Sequence, residues 1–350
     1  MALTPPGPYV QNEPARVDDT PRQSVLAVSD LVVEVKRSDG WRPVVRGVSL
    51  SLERGQITAL VGESGSGKTM TGLSLVGLLP GSARRAAGRV NLDGRDITDV
   101  TERTMTEIRG RHISMVFQDP LAALNPVKRI GFQLTEPMVV HLKLKRREAT
   151  ERALSMLEDV GLPREAEILA RYPHELSGGM RQRVLIALAL GCDPSVLIAD
   201  EPTTALDVTI QAQVLELIRR LVRERNLAVL FVTHDLGVAR QLADRIAVMY
   251  AGRIVETGPV AELLEQPAHP YTQGLLKCVP NVTRRQRPLP TMTGTAEDAW
   301  ALTEGCRFAP RCPLVIDQCR RDEPSLALDD RRGTSAACWV TGSTEPQPTS

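Results

Sequence analysis

Eight consecutive residues, Gly62-Glu63-Ser64-Gly65-Ser66-Gly67-Lys68-Thr69, follow the pattern G-x-x-x-x-G-K-[ST]. Glycines at this spacing let backbone N–H groups curl around phosphate oxygens. A helix starting at the lysine adds partial positive charge at the same point. Lys68 then suits the β- and γ-phosphates of a nucleotide, and the Thr69 hydroxyl suits Mg²⁺. Further on, the apolar run Val196-Leu197-Ile198-Ala199 ends in Asp200-Glu201. An Asp at the end of a buried strand can hold Mg²⁺ through water, and the Glu beside it can polarise an attacking water as general base. The first motif, set between a strand and a helix, is seldom a chance glycine turn, whereas the second alone reads equally as a solvated acidic turn. Together they point to nucleotide chemistry.

These residues need elements that hold them. Leu26 to Val35 and Val44 to Leu52 read as strands separated by the turn Ser38-Asp39-Gly40. Gln56 to Val61 reads as a buried strand entering the glycine-rich loop, and Thr69 to Leu79 as the helix leaving it, stopped by Pro80-Gly81. Arg89 to Asp99 forms a hairpin pattern around Asp93-Gly94, and Ile113 to Phe117, Val196 to Ala199 and Ala228 to Val232 are further strands. Asp119 to Tyr172 changes to helical spacing, as in Ala153, Met156, Leu157 and Val160, and reads as a helical insertion. Its basic stretch Lys143 to Arg147 has the commoner reading of a solvated helix face. Thr283 to Pro290 reads as a linker, and Met1 to Thr20, rich in Pro, Asn and Asp with no basic-then-apolar pattern, as a disordered arm rather than a signal peptide.

Composition narrows the classes. The 350 residues carry a net charge of +1 and only 3% aromatics, which argues against a nucleic-acid partner, whose binding needs basic excess or aromatic platforms. The longest apolar run, Val184 to Cys192, is far short of the ~20 residues of a membrane span.

A third motif, Leu176-Ser177-Gly178-Gly179-Met180-Arg181-Gln182-Arg183, puts N-cap chemistry at Ser177 ahead of a helix over Met180 to Leu190. The octet resembles the signature motif of ATP-binding cassette (ABC) ATPases. Other elements of that family follow in order: Gln118 after Val116-Phe117 resembles the Q-loop glutamine, Ala205-Leu206-Asp207 the D-loop, and Thr233-His234-Asp235 the switch-histidine loop. The resemblance spans about Leu26 to Leu264. It implies a P-loop NTPase α/β core with an antiparallel β subdomain and a helical subdomain, at about 25–264 and 119–177. It also implies two such domains dimerised head to tail, each ATP lying between one glycine-rich loop and the other's signature motif. Ser177, Gly178, Gly179 and Asp207 then serve a nucleotide held by the partner, Gln118 senses Mg²⁺ and couples to a membrane subunit, and His234 contacts the γ-phosphate. The sequence departs from the family in one place: an adenine-stacking aromatic is expected near the end of the first strand, where Val35 stands, with Trp41 as the alternative.

Gln118 to Pro126 (QDPLAALNP) and His269 to Leu276 (HPYTQGLL) resemble oligopeptide and dipeptide permease ATPases. The group also includes importers of nickel and other solutes. The resemblance implies ATP hydrolysis at the cytoplasmic face of the membrane, with two permease subunits, a second and non-identical ATPase, and an extracytoplasmic solute-binding protein as partners. Alternatives of other classes are a soluble ABC ATPase of repair or translation, disfavoured by a single cassette without heptads, and a redox-regulatory binding module.

Five of the six cysteines fall in the last quarter. Cys306, Cys312, Cys319 and Cys338 give C-x5-C-x6-C-x18-C, wider than the tight pairs of structural zinc sites, while iron–sulfur clusters accept more varied spacing. Gly305 to Pro313 (GCRFAPRCP) resembles the cysteine motif of peptide-permease ATPases, which implies a [4Fe–4S] cluster. Zinc and metal-free thiols remain as alternatives. Disulfides do not fit a chain that works in a reducing compartment. Cys192 reads as a core thiol and Cys278 as outside the ligand spacing. Residues 265–350 thus read as a C-terminal extension set apart from the motor.

Overall fold

A computed structural model describes residues 24–204, 206–278, 302–330 and 332–341, with positions 292, 294, 299 and 300. The readings of Met1 to Thr20 as an arm and Thr283 to Pro290 as a linker, and the D-loop residue Ala205, lie outside the described residues.

Strands β1 (Ser24–Arg37) and β2 (Gly40–Glu53) form a long hairpin, followed by β3 (Ile57–Val61) and helix α1 (Lys68–Leu75). β4 (Ala83–Leu92) and β5 (Arg95–Asp96) turn on Asp93-Gly94, both at positive φ (50° and 79°), as a two-residue hairpin requires. Then come α2 (Glu102–Ile108) and β6 (Ile113–Val116). The helical insertion holds α3 (Pro120–Ala123), α4 (Ile130–Leu142), α5 (Arg146–Asp159) and α6 (Glu165–Ala170), and the signature helix α7 (Gly178–Leu190) leads out of it. The core continues through β7 (Val196–Asp200), α8 (Val208–Arg225), β8 (Ala228–Thr233), α9 (Leu236–Leu242), β9 (Arg245–Tyr250), β10 (Arg253–Pro259) and α10 (Val260–Glu265). The C-terminal part contributes α11 (Pro270–Cys278), α12 (Asp317–Arg321), β11 (Ala327–Asp329) and β12 (Thr334–Ala336).

Two sheets result, β2-β1-β4-β5 and β11-β12-β10-β9-β3-β8-β7-β6. In the second, β9, β3, β8, β7 and β6 run parallel, so both faces must be covered. Alternation along the strands divides the burial. Ala59, Leu197, Val229 and Phe231 face the core shared with α7, α8 and the insertion. Leu60, Val196, Ile198 and Leu230 face a second core shared with β1, β2 and β4. The period-2 pattern thus makes one sheet the floor of two cores.

α1 is shorter than the Thr69 to Leu79 expected from composition. Gly77 takes φ 63°, and Leu78 and Gly77 donate back to the carbonyls of Leu73 and Ser74 (2.9 and 3.3 Å). This left-handed glycine cap, not Pro80, ends the helix. The C-terminal part joins the core sheet: Ala336 and Ser335 of β12 pair with Glu256 and Thr257 of β10. Tyr250, Tyr271 and Phe308, all buried, meet in tilted and edge-on contacts with centroids 4.6, 5.3 and 5.5 Å apart and tie the strand β9, helix α11 and the cysteine-bearing segment into one cluster.

Candidate active site

The glycine-rich loop leaves the end of β3 and enters α1, as the sequence predicts. Two of its glycines are sterically required. A Cβ on Gly62 would lie 2.2 Å from the Met249 carbonyl oxygen, and one on Gly67, at φ 107°, would lie 2.6 Å from that of Val44. Ser64, Gly65 and Thr69 are exposed, whereas Ser66 is buried with its hydroxyl unpartnered. Lys68 is 5% exposed and donates to the carbonyls of Gly62 and Glu63 (2.8 and 2.9 Å). Burial lowers its pKa, opposed by Glu201, Asp200 and Glu63. The ammonium is thus held on two neutral carbonyls, a position from which an anion can draw it.

Asp200 ends β7 at 3% exposure and accepts from the Thr69 hydroxyl at 3.2 Å. Burial raises its pKa; the Thr69 bond and Lys68 offset this, and the neighbouring Glu201 adds to it. A carboxylate and hydroxyl so paired in a desolvated place form a donor set for a hard divalent cation. Glu201 follows at φ 44°, an uncommon conformation for a non-glycine residue that turns its side chain out of the strand line. Its carboxylate gathers three partners. Gln118 Nε2 and Thr204 Oγ1 donate to Oε2, both at 3.0 Å, and His234 Nδ1 lies 3.0 Å from Oε1. The structure therefore brings Gln118, Glu201 and His234 together, next to the Thr69–Asp200 pair.

The signature residues stand elsewhere. Ser177 caps α7, its hydroxyl accepting from Met180 N–H at 3.3 Å, and Ser177 and Gly178 are exposed. Gly179 packs against Ile210 of α8, whose N-cap is the exposed Asp207. Among the described residues, no hydrogen bond or ion pair joins Ser177, Gly178, Gly179 or Asp207 to the glycine-rich loop of the same chain. Trp41 faces Lys36 across the hairpin, and the guanidinium of Arg84 covers its ring at 4.2 Å, while Val35 faces Arg42 and Ala83.

Cys306, Cys312, Cys319 and Cys338, none of them in a disulfide, line one small, apolar pocket with His269, Phe308 and Trp339. Burial pushes the Cys306 thiol up to about 11, the three other cysteines adding to the effect. Among the described residues, no three His, Cys, Asp or Glu side chains are grouped to hold a single metal ion. Cys192 is buried in the core and Cys278 ends α11, away from this pocket.

Sequence reasoning missed Thr204 and the ties of Glu63. The Glu63 carboxylate is held by Arg311 through both oxygens (2.8 and 2.9 Å), and its N–H donates to the Tyr271 hydroxyl at 3.0 Å. Glu63 occupies an x position of the motif, so nothing in the spacing marks it. Arg311 lies 248 residues away.

A glycine-rich loop, a paired Thr and Asp, and a Glu held by Gln and His at the ends of parallel strands define an ATP-hydrolysing cassette. The comparisons agree. Residues 45–204 match the ABC transporter family, and residues 255–319 match the C-terminal region of oligopeptide/dipeptide transporters. The oligopeptide transport ATP-binding protein AppD of Bacillus subtilis (strain 168) is 46% identical over 91% of this chain and 97% of its own length. The dipeptide transport ATP-binding protein DppD of the same organism is 46% identical over 91% of this chain and 95% of its own. Among solved structures, the dimeric, post-hydrolysis ATP-binding cassette MJ0796, bound to ADP and Pi, superposes with a TM-score of 0.61 at 27% identity, covering 67% of this chain and 98% of that one. The chain is an ABC ATPase. It belongs to the family of oligopeptide/dipeptide transport ATP-binding proteins.

Proposed function

We propose that this chain hydrolyses ATP to energise the uptake of oligopeptides or dipeptides through separate membrane-spanning subunits. The observation that carries hydrolysis is the convergence of Gln118, Thr204 and His234 on Glu201, beside the Thr69–Asp200 pair. In this reading Lys68 leaves its two carbonyls for the β- and γ-phosphates, and the N–H groups of Gly62, Ser64, Gly65, Ser66 and Gly67 cradle them. Thr69, Gln118 and, through water, Asp200 would hold Mg²⁺, which would offset the charge on the phosphate oxygens. Glu201 takes the proton of the attacking water, and His234 orients Glu201 and meets the γ-phosphate. The C-terminal match and the named activities of the relatives support the peptide cargo.

Ser177, Gly178, Gly179 and Asp207 are assigned to a nucleotide held by a second, non-identical ATPase subunit. The exposure of Ser177, Gly178 and Asp207 and the separation of all four from their own loop support this, as does the dimeric state of MJ0796. No helix among the described residues is long and apolar enough to cross a membrane. The exposed Leu121, Val127 and Phe132, just after Gln118, offer an apolar face to two permease subunits at the cytoplasmic side. A solute-binding protein completes the assembly. The cassette then occupies 25–264, with its helical part at 119–177, and the extension 265–350.

The four thiols fit a four-thiolate cluster better than one zinc ion. They line a single apolar pocket, yet no three of them are grouped tightly enough for one metal. A bound [4Fe–4S] cluster would supply a four-point staple between segments distant in sequence. Co-purification with two membrane-spanning chains, and ATP hydrolysis stimulated by peptide in reconstituted vesicles, tests the reading. Stimulation by nickel alone changes the cargo, and full activity with no membrane partner removes the importer.

A further inference from the structure

Glu63 has no polar group left free. Its N–H donates to the Tyr271 hydroxyl at 3.0 Å, its carbonyl accepts from Lys68 Nζ at 2.9 Å and from Ser66 N–H at 3.2 Å, and its carboxylate receives both arms of Arg311. The last partner comes from outside the cassette. Arg311 sits in the single turn Ala309–Arg311, between Cys306 and Cys312, and its side chain is 4% exposed. Its guanidinium also reaches the Tyr250 hydroxyl at 3.5 Å and lies near the Tyr250 and Phe308 rings. A bidentate ion pair whose guanidinium is desolvated has narrow geometry. Displacing the turn that carries Arg311 therefore pulls directly on the second residue of the phosphate loop.

We infer that Arg311 is a positioning residue for the phosphate-binding loop, and that through the Arg311–Glu63 pair the nucleotide site senses whether the cysteine-bearing segment is seated. The inference rests on the ATP-site reading above. With Arg311 in place, the Glu63 carbonyl stays where Lys68 finds it, and the loop N–H groups stay aimed at phosphate. With Arg311 withdrawn, the Glu63 carboxylate, 26% exposed, loses its partner and the loop relaxes away from the bound form. Coupling is reciprocal, so nucleotide must also hold the turn 306–312 in place.

The test uses the full chain in its assembled complex. Arg311→Gln and Glu63→Gln break the pair from opposite sides, Arg311→Lys keeps the charge without the fork, and the double variant Arg311→Gln/Glu63→Gln removes both partners. Dissociation constants for AMP-PNP with Mg²⁺, KM and kcat for ATP, and melting temperatures are measured for each. The expected result is a rise in Kd and KM of roughly fivefold or more, the lower range of inter-site couplings. Turnover at saturating ATP is retained in the Arg311 variants, Arg311→Lys falls between the parent and Arg311→Gln, and the double variant is no worse in binding than the poorer single one. In the parent, AMP-PNP slows hydrogen exchange at the Arg311 and Cys312 amides, and in Arg311→Gln it does not. Folded variants that bind AMP-PNP as the parent does overturn the inference, as does a loss confined to kcat, or equal exchange protection in parent and variant. A parent that binds no AMP-PNP overturns the nucleotide-site reading itself, and with it this one.

Discussion

Replacing Glu201 with glutamine separates binding from chemistry. The amide oxygen, set in the place of Oε2, still accepts from Gln118 and Thr204 at the present 3.0 Å. The NH2 group, set in the place of Oε1, donates to a neutral His234 Nδ1, also at 3.0 Å. All three contacts survive, and glutamine tolerates the φ of 44° no worse than glutamate. What is lost is the negative charge that receives a proton from water. General-base catalysis is worth about 100- to 10,000-fold, or about 3–5 kcal/mol of barrier. The expected result is a fall in steady-state hydrolysis of that size, with the ATP dissociation constant within a few-fold of the parent's. The melting temperature stays within about 4 °C, because no buried group is left unpaired. Phosphate release at saturating ATP and equilibrium nucleotide binding are the two measurements. Turnover within threefold of the parent would falsify the base assignment. A fall in turnover matched by an equal fall in binding would mean that Glu201 holds the loop rather than the water.

Protein purified without oxygen should be brown and contain iron and acid-labile sulfide in equal amounts; colourless protein with stoichiometric zinc refutes the cluster. His269 is 2% exposed, and burial lowers its pKa from 6.5 to about 4. The unfolded chain therefore takes up this proton first, and stability falls by about 3 kcal/mol as pH drops from 6.5 to about 4. His269→Asn keeps an acceptor for the Tyr271 N–H and should flatten that slope in denaturant titrations; an unchanged slope removes His269 as its source. Gly62→Ala forces a methyl group against the Met249 carbonyl, and should cost about 1–3 kcal/mol together with ATP binding, read by thermal melts. Gly179→Ala puts its methyl 2.8 Å from Ile210 Cγ2, a side-chain rather than backbone contact that Ile210 must shift to relieve, so melting should fall by only a few degrees while hydrolysis drops by roughly 100-fold; normal hydrolysis refutes the role of that helix start.

What could be read from the sequence was local. The strand β3, its loop and Lys68 are contiguous, as are β7 with Asp200-Glu201 and β8 with His234, so a short apolar run next to unusual residues was enough to mark each. The α1 boundary was misjudged because Pro80 is the more visible stop, while Gly77 supplies the left-handed cap. Trp41 and Val35 are the two adenine candidates by spacing, which does not reveal that Arg84 covers the Trp41 ring. The pairing of β12 with β10 and the hold of Arg311 on Glu63 are long-range events. They are decided by burial around Tyr250, Tyr271 and Phe308, which no motif encodes.

Sheet topology explains why the local motifs meet. β3, β8 and β7 are adjacent parallel strands, with β6 beyond β7. Val61 pairs with Thr233, Val232 with Asp200, and Ala199 with Val116, so all four strands end within a residue or two of one level. Strands about 4.8 Å apart then deliver the loop, His234, Asp200-Glu201 and Gln118 to one edge, where ligands of open α/β sheets bind. The signature helix α7 cannot join them there. It has 13 residues, about 20 Å of helix, and it hands the chain to the start of β7. Its exposed first turn therefore points to the same side as the strand ends while standing apart from them. A nucleotide seated on the edge leaves its outer phosphate face open, and this chain keeps its own capped helix start out of reach. In the proposed head-to-tail pairing the second subunit would close that open face, and ATP, rather than the apolar core, would be the adhesive of the interface and its hydrolysis the release.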